Sequence, residues 1–237
     1  MGKGMMIDGH IHTEKDWGLK LISIYIPMPG IKTQIIDIPG GDGSIDLTDV
    51  NGRPMYKDRD GVEFVFDLLD GDYTTWLMKY SKFAAEIHGS KVKVVLDDEP
   101  EHYYMMRLEL DSEKTNPVYS QITLSGTAEP FKYDLQSSGE LWKWDTFNFY
   151  TGVIRQLVDV QITDSNRKVK ILAAEIDCPP VFIVTEANNL KLTHKGRTYT
   201  LRIGRNRFPA VRVGEDDVTL HFSGTGKLTV EYRGQYL

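Results

Sequence analysis

Residues 36–68 read IDIPGGDGSIDLTDVNGRPMYKDRDGVEFVFDL. The apolar run ending at Ile38 meets Pro39, which cannot donate to a ladder and so ends a strand. Gly40, Gly41 and Gly43 admit backbone angles closed to other residues. Asp42 can hydrogen-bond back onto its own turn. The stretch predicts a sharp corner, or a surface where another chain approaches closely. A second strand-like run follows from Ser44 to Thr48. Then Val62, Phe64 and Phe66 recur at every second position, as in a strand with one buried face.

The same alternation spreads outward. GLKLISIYI (18–26), KTQIIDI (32–38), KVKVVLD (91–97), YMMRLEL (104–110) and SQITLSG (120–126) read as short strands bounded by Gly, Pro, Asp and Asn. DYTTWLMKYSKFAAEIHG (72–89) breaks the pattern: Trp76, Tyr80, Phe83 and Ile87 recur at helical intervals. Asp72 is a suitable N-cap and Gly89 a suitable left-handed residue past the end. The aromatic stripe suits packing against a sheet. Beyond FKYDLQSSGELWKWD (131–145) the texture changes to strands and turns without a helix, with HKGR (194–197) and SGTGK (223–227) as hairpin turns. The expected fold class is mainly β: residues 1–135 with one α-helix, and residues 136–237 as a β-sandwich or jelly roll.

A length of 237 residues suits one large domain or two small ones. Residues 1–135 carry 14 Lys+Arg against 23 Asp+Glu, and residues 136–237 carry 14 against 11. That change of sign supports two domains. No basic stripe marks a nucleic-acid binder. No apolar run reaches the roughly 18 residues of a membrane span, and no signal-peptide core is visible. The single cysteine, Cys178, cannot form an internal disulfide and fits a reducing cytosol. Before Pro179-Pro180 it reads as a structural thiol.

IDGHIHT (7–13) raises a different possibility, because His10 and His12 would share one face of a strand. A zinc hydrolase needs a third ligand, an open position and an acid or base nearby. His88, His102, His194 and His221 form no second ligand cluster in sequence, and the alternating helices of a barrel are missing. No nucleophile elbow or phosphate loop is present either. No catalytic, metal or cofactor residue is therefore expected.

The residues that stand out together are Asp16-Trp17-Gly18-Leu19, Pro39-Gly40-Gly41-Asp42-Gly43, Tyr56, Arg59, the Trp76 helix ending in Ile87-His88-Gly89, and the acidic turn before Tyr103-Tyr104. In this order they resemble the distal tail proteins of long-tailed, non-contractile bacteriophages, over about residues 12–130. The second half resembles that family's galectin-like β-sandwich more loosely, through Pro179-Pro180 and the final LTVEYRGQYL.

The resemblance implies a structural protein with no catalysis and no cofactor, made in the bacterial cytoplasm and located at the virion tail tip. It implies a tail-tube-like first domain forming a homohexameric ring and a galectin-like second domain outside it. The implied partners are the tail tube protein, the tail-tip fibre or lysin protein, and in larger tips a receptor-binding protein. DNA would pass through without specific binding, and no membrane insertion is implied. Pro39, Gly40, Gly41, Asp42, Gly43, Tyr56 and Arg59 then become interface residues, since Tyr and Arg are favoured anchors. Asp97, Asp98, Glu99 and Glu101 become acidic residues of the lumen. A carbohydrate-binding module is the alternative, with Trp142, Trp144 and Tyr150 as stacking platforms. Limited proteolysis should cut between about residues 131 and 145 and release two soluble fragments.

Overall fold

The computed structural model describes residues 4–50, 52–68, 73–110, 121–141, 154–163 and 167–237. The chain is mainly β and forms two compact units, Met1–Lys132 and Tyr133–Leu237.

The first unit runs β1 (Met5–Ile7), β2 (Ile11–His12), α1 (Thr13–Trp17), β3 (Leu19–Tyr25), β4 (Ile31–Lys32), β5 (Ile35–Asp37), β6 (Ser44–Asp46), β7 (Met55–Tyr56), β8 (Arg59–Leu68), α2 (Tyr73–Ile87), β9 (Lys91–Leu96), β10 (His102–Leu110) and β11 (Gln121–Asp134). The main sheet has the order β2-β1-β9-β10-β11-β8-β3. Its inner face follows the alternation in the sequence: Val62, Phe64 and Phe66 on β8, Val92 and Val94 on β9, Met106 and Leu108 on β10 are all buried. Each such side chain contributes about 1.5–3 kcal/mol of transfer free energy. Phe83 and Ile87 of α2 close this core. Phe83 meets the rings of Trp17 at 5.0 Å and Phe66 at 6.1 Å, both edge to face. Gly89 adopts the expected left-handed angle, φ 74°. Asp72 and the Trp76 side chain lie outside the described residues.

The expectation of one helix is corrected by α1, whose five residues are too few to show a period. It is defined by its ends. The His12 Nδ1 accepts from Lys15 N at 3.2 Å, and Gly18, at φ 67°, donates its N–H to Glu14 O. At Gly126 the β8–β11 register shifts. A Cβ there would collide with the Arg107 carbonyl oxygen, so glycine lets the β11 backbone come close to β10.

The second unit contains β12 (Val160–Ile162), β13 (Arg167–Ile171), β14 (Val181–His194), β15 (Arg197–Thr200), β16 (Gly204–Arg207), β17 (Val218–Glu231) and β18 (Gln235–Tyr236). The sheet order is β12-β17-β14-β15, with β13 also on β17 and β16 also on β14. HKGR is a hairpin turn, with Lys195 and Gly196 both at positive φ between β14 and β15. SGTGK is not a turn: β17 passes straight through it. Its glycines answer a different need. A Cβ on Gly224 would strike the Asn189 carbonyl, and one on Gly226 the Glu186 carbonyl, where β14 bulges against β17. β14 runs on from Val181 to His194 as one long strand and is followed by the hairpin to β15. Arg155 is buried beside Asp134, with Nη1 to Oδ2 at 2.7 Å, and Nη2 donates to the Tyr236 hydroxyl at 3.0 Å. Burial, reinforced by Asp134, pushes the Tyr236 pKa up to about 12.

Gly126→Ala should destabilise the protein by about 1–3 kcal/mol in urea titration, as over-packing does. Gly30→Ala should change it little, since a Cβ there meets only an ordinary contact with Lys57.

Candidate functional site

Between Tyr25 and Arg59 the chain leaves the main sheet and returns. β3 and β8 pair up to Tyr25 and Glu63, and the intervening residues form an arm. Two short antiparallel ladders build it: Ile31 opposite Tyr56 in β4–β7, then Ile35–Asp37 opposite Asp46–Ser44 in β5–β6. The Ile38–Gly43 corner is the arm's tip. Gly41 N donates to Ile38 O at 3.2 Å, and Gly40 and Gly43 have φ of 72° and 85°. Pro39, Gly40, Gly41, Asp42 and Gly43 are all exposed there. Behind the tip, Leu47 N donates to Gln34 O at 2.8 Å, and Thr48 holds the Asp46 carboxylate through its backbone N–H at 2.8 Å. Hydrogen bonds from the Thr48 side chain and backbone lower the Asp46 pKa.

The arm is apolar where it should be wet. Of fifteen exposed large hydrophobic residues among the described residues, eight fall on the arm, from Met28 to Met55, and three, Ile22, Ile24 and Tyr25, on the adjoining β3. That concentration separates the arm from an ordinary surface, where such residues are scattered singly. Directly opposed residues share a face. Ile36 opposite Ile45 makes one face of the β5–β6 hairpin apolar. Ile35 opposite Asp46, and Asp37 opposite Ser44, make the other face largely polar and acidic. A hairpin exposed on both faces is marginal on its own.

Tyr56 and Arg59 sit at the arm's root. Arg59 is 3% exposed. Its Nη1 donates to Pro27 O at 2.9 Å and its Nε to Pro130 O at 3.0 Å, tying the start of the arm to β11. Its guanidinium lies 5.9 Å from the Tyr104 ring centre. Burial pulls its pKa down, while Tyr104 and Glu99 oppose that shift. Tyr56 packs edge-on against Phe131 at 5.8 Å. The buried Arg59 therefore orients the arm and does not present itself at a surface. The residues that sequence reasoning missed are the arm's isoleucines. Their one signal was the adjacent pair Ile35-Ile36, which breaks strict alternation.

The acidic turn also turns inward in part. The Asp97 carboxylate accepts from Gly4 N at 2.9 Å and contacts His12 Nε2 at 3.1 Å. Glu99 accepts from the Tyr104 hydroxyl at 3.0 Å and from Lys132 Nζ at 3.2 Å. Asp98 is exposed, and Glu101 is partly buried and engaged. His12, 4% exposed, is a helix cap bound to Asp97, whereas His10 is exposed with Nδ1 near Asp8 O. No group of three His, Cys, Asp or Glu among the described residues could hold a metal. Cys178 is partly buried with its thiol toward Arg233 O at 3.8 Å. Trp142, Trp144 and Tyr150 lie outside the described residues. No helix among the described residues is long and apolar enough to cross a membrane.

Arg59→Met should destabilise the protein by about 2–4 kcal/mol in urea titration, because two partly buried carbonyls lose their donor. It should also speed proteolysis within residues 27–58.

No protein-family model and no curated protein matches the chain. Among solved structures, the Dit (gp 19.1) protein of phage SPP1, a hub adsorption apparatus protein of phages that infect Gram-positive bacteria, is similar at TM-score 0.63 and 15% identity, covering 100% of each chain. A chain of the phage p2 baseplate in its activated conformation is similar at TM-score 0.42 and 10% identity, over 98% of this chain and 97% of that one. The second likeness is too distant to bear on the fold. The chain has the fold of the SPP1 Dit protein from end to end.

Proposed function

We propose that this protein is a non-enzymatic structural component of a long-tailed phage tail tip. Six copies form a ring that joins the tail tube to the tip fibre or lysin protein, or to receptor-binding proteins. The observation that carries this reading is the apolar arm on a rigid, buried root. The full-length likeness to SPP1 Dit supports the same class of protein. A head-to-tail contact repeated about an axis closes into a ring without any further device.

In this reading, residues 1–135 make the ring and residues 136–237 lie outside it. The tip residues Pro39 to Gly43 and the Ile36–Ile45 face of the arm meet the next copy. A receiving surface is available on the same unit. β3 ends the sheet, its Ile22 and Ile24 are exposed, and a cleft of about 220 Å³ separates Leu21–Ile24 from Leu96–Asp98. Each isoleucine buried there would contribute about 1.5–3 kcal/mol. The opposite face of the hairpin, with Asp37 and Asp46, then turns toward the lumen together with Asp42 and Asp98. Negative charge there repels passing DNA over roughly 8–10 Å at physiological salt. Asp97 and Glu99 are already engaged within the unit and contribute less to that field.

Electron microscopy and native mass spectrometry of the purified protein test the reading. The expected particle is a hollow six-fold ring. The double variant Ile36→Asp, Ile45→Asp should remain folded and become monomeric. A wild-type protein that stays monomeric at every concentration, alone and with its tail tube partner, would refute it.

A further inference from the structure

The balance of +3 over residues 136–237 conceals an uneven distribution. Residues 187–214 hold seven Lys and Arg and no Asp or Glu, in a chain of net charge −6. The register gathers part of this charge on one sheet face. Lys168 on β13, His221 on β17, Thr193 on β14 and Thr198 on β15 stand in one row across four strands. The neighbouring row contains Ser223, Lys191 and Thr200. Val169, Leu220 and Leu192, which alternate with these residues, are buried in the core. Both rows therefore point outward. Lys195 flanks them at the β14–β15 turn, whereas Arg197, opposite the buried His194, belongs to the other face.

The cations divide into two groups. Lys170, Arg205 and Arg212 pair with Asp217, Glu231 and Asp177. Lys168, Lys191, Lys195 and Arg197 are exposed, and none has an ion-pair partner among the described residues. Three of these charges, those of Lys168, Lys191 and Lys195, stand around a band of hydroxyls and attract an anion more strongly than an ordinary mixed surface does. The Thr193 and Thr198 hydroxyls, 3.0 Å apart, bond each other and retain capacity for a ligand.

We propose that the outer face of β13-β17-β14-β15 binds an anionic glycan, a polymer carrying carboxylate or phosphate groups along a hydroxyl-rich backbone. Adjacent strands set these side chains about 4.8 Å apart, on the scale of a sugar ring. Apart from the His221 imidazole the two rows carry no aromatic side chain, so the Phe, Tyr and Trp platforms on which single-strand nucleic-acid binders stack bases are missing from them. The proposal concerns the second unit alone and is independent of ring assembly.

The test uses the full chain and four probes: polygalacturonate, poly(glycerol phosphate), neutral dextran and a short DNA duplex. At least one of the two anionic polymers should bind, with affinity falling as salt rises, and dextran should not. Which polymer binds more tightly distinguishes carboxylate from phosphate recognition. The variant Lys168→Gln, Lys191→Gln, Lys195→Gln should lose about tenfold or more of that affinity, as expected for three lost anion contacts. The variant Lys15→Gln, Lys20→Gln, Lys82→Gln, with the same change in net charge, should retain it. Failure of both polymers to bind, equal loss in the two variants, or DNA binding as tight as either polymer would overturn the proposal.

Discussion

A single guanidinium organises the first unit. Arg59 is inside the protein with no direct carboxylate partner among the described residues, which is costly unless its donors are satisfied. Two proline carbonyls accept from its Nε and Nη1 and the Tyr104 ring lies beside it, while its buried Nη2 makes no hydrogen bond among the described residues. The counter-charge is indirect: Tyr104 hydrogen-bonds Glu99, which also binds Lys132. This network fixes where β8 begins, where the arm departs and where β11 passes. Glu99 is better described as part of the support for Arg59 than as a surface charge.

The arm and the core follow opposite rules. In the core, alternation buries Val62, Phe64 and Phe66, while Gly61 and Glu63 are exposed and Val65 and Asp67 half-buried. On the arm, Ile36 and Ile45 are apolar and exposed. Such a surface is stable only if the fold around its root is rigid enough to hold it away from its own core. The close backbone approach at Gly126 and the buried Arg59 supply that rigidity. The two features are consistent with a segment shaped to meet another chain.

Much of the first unit was legible in the sequence because one buried face imposes a period of two on strands and one side imposes a period near four on a helix. β8, β9, β10 and the Phe83–Ile87 part of α2 follow directly. The failures have physical causes. α1 is a capped turn, set by His12 and Gly18 and too short for a period. SGTGK has the composition of a turn, but its glycines make room for the carbonyls of β14. At the candidate site, the Pro39–Gly43 corner was visible because turn chemistry is local. The burial of Arg59 was invisible because its acceptors lie far along the chain. The division of charge between Asp97 and Asp98 was invisible for the same reason.

The hydrogen bond from Arg59 to Pro130 spans 71 residues of sequence. At roughly 5–20 residues per second, synthesis of that interval takes about 4–14 s. For that time the arm exists on the ribosome without the strand that anchors it, and its isoleucines have neither root nor partner. The nascent chain therefore passes through a stage in which its stickiest segment is also its least constrained. Chaperone binding and the local concentration of nascent copies then determine how much chain survives to complete β11.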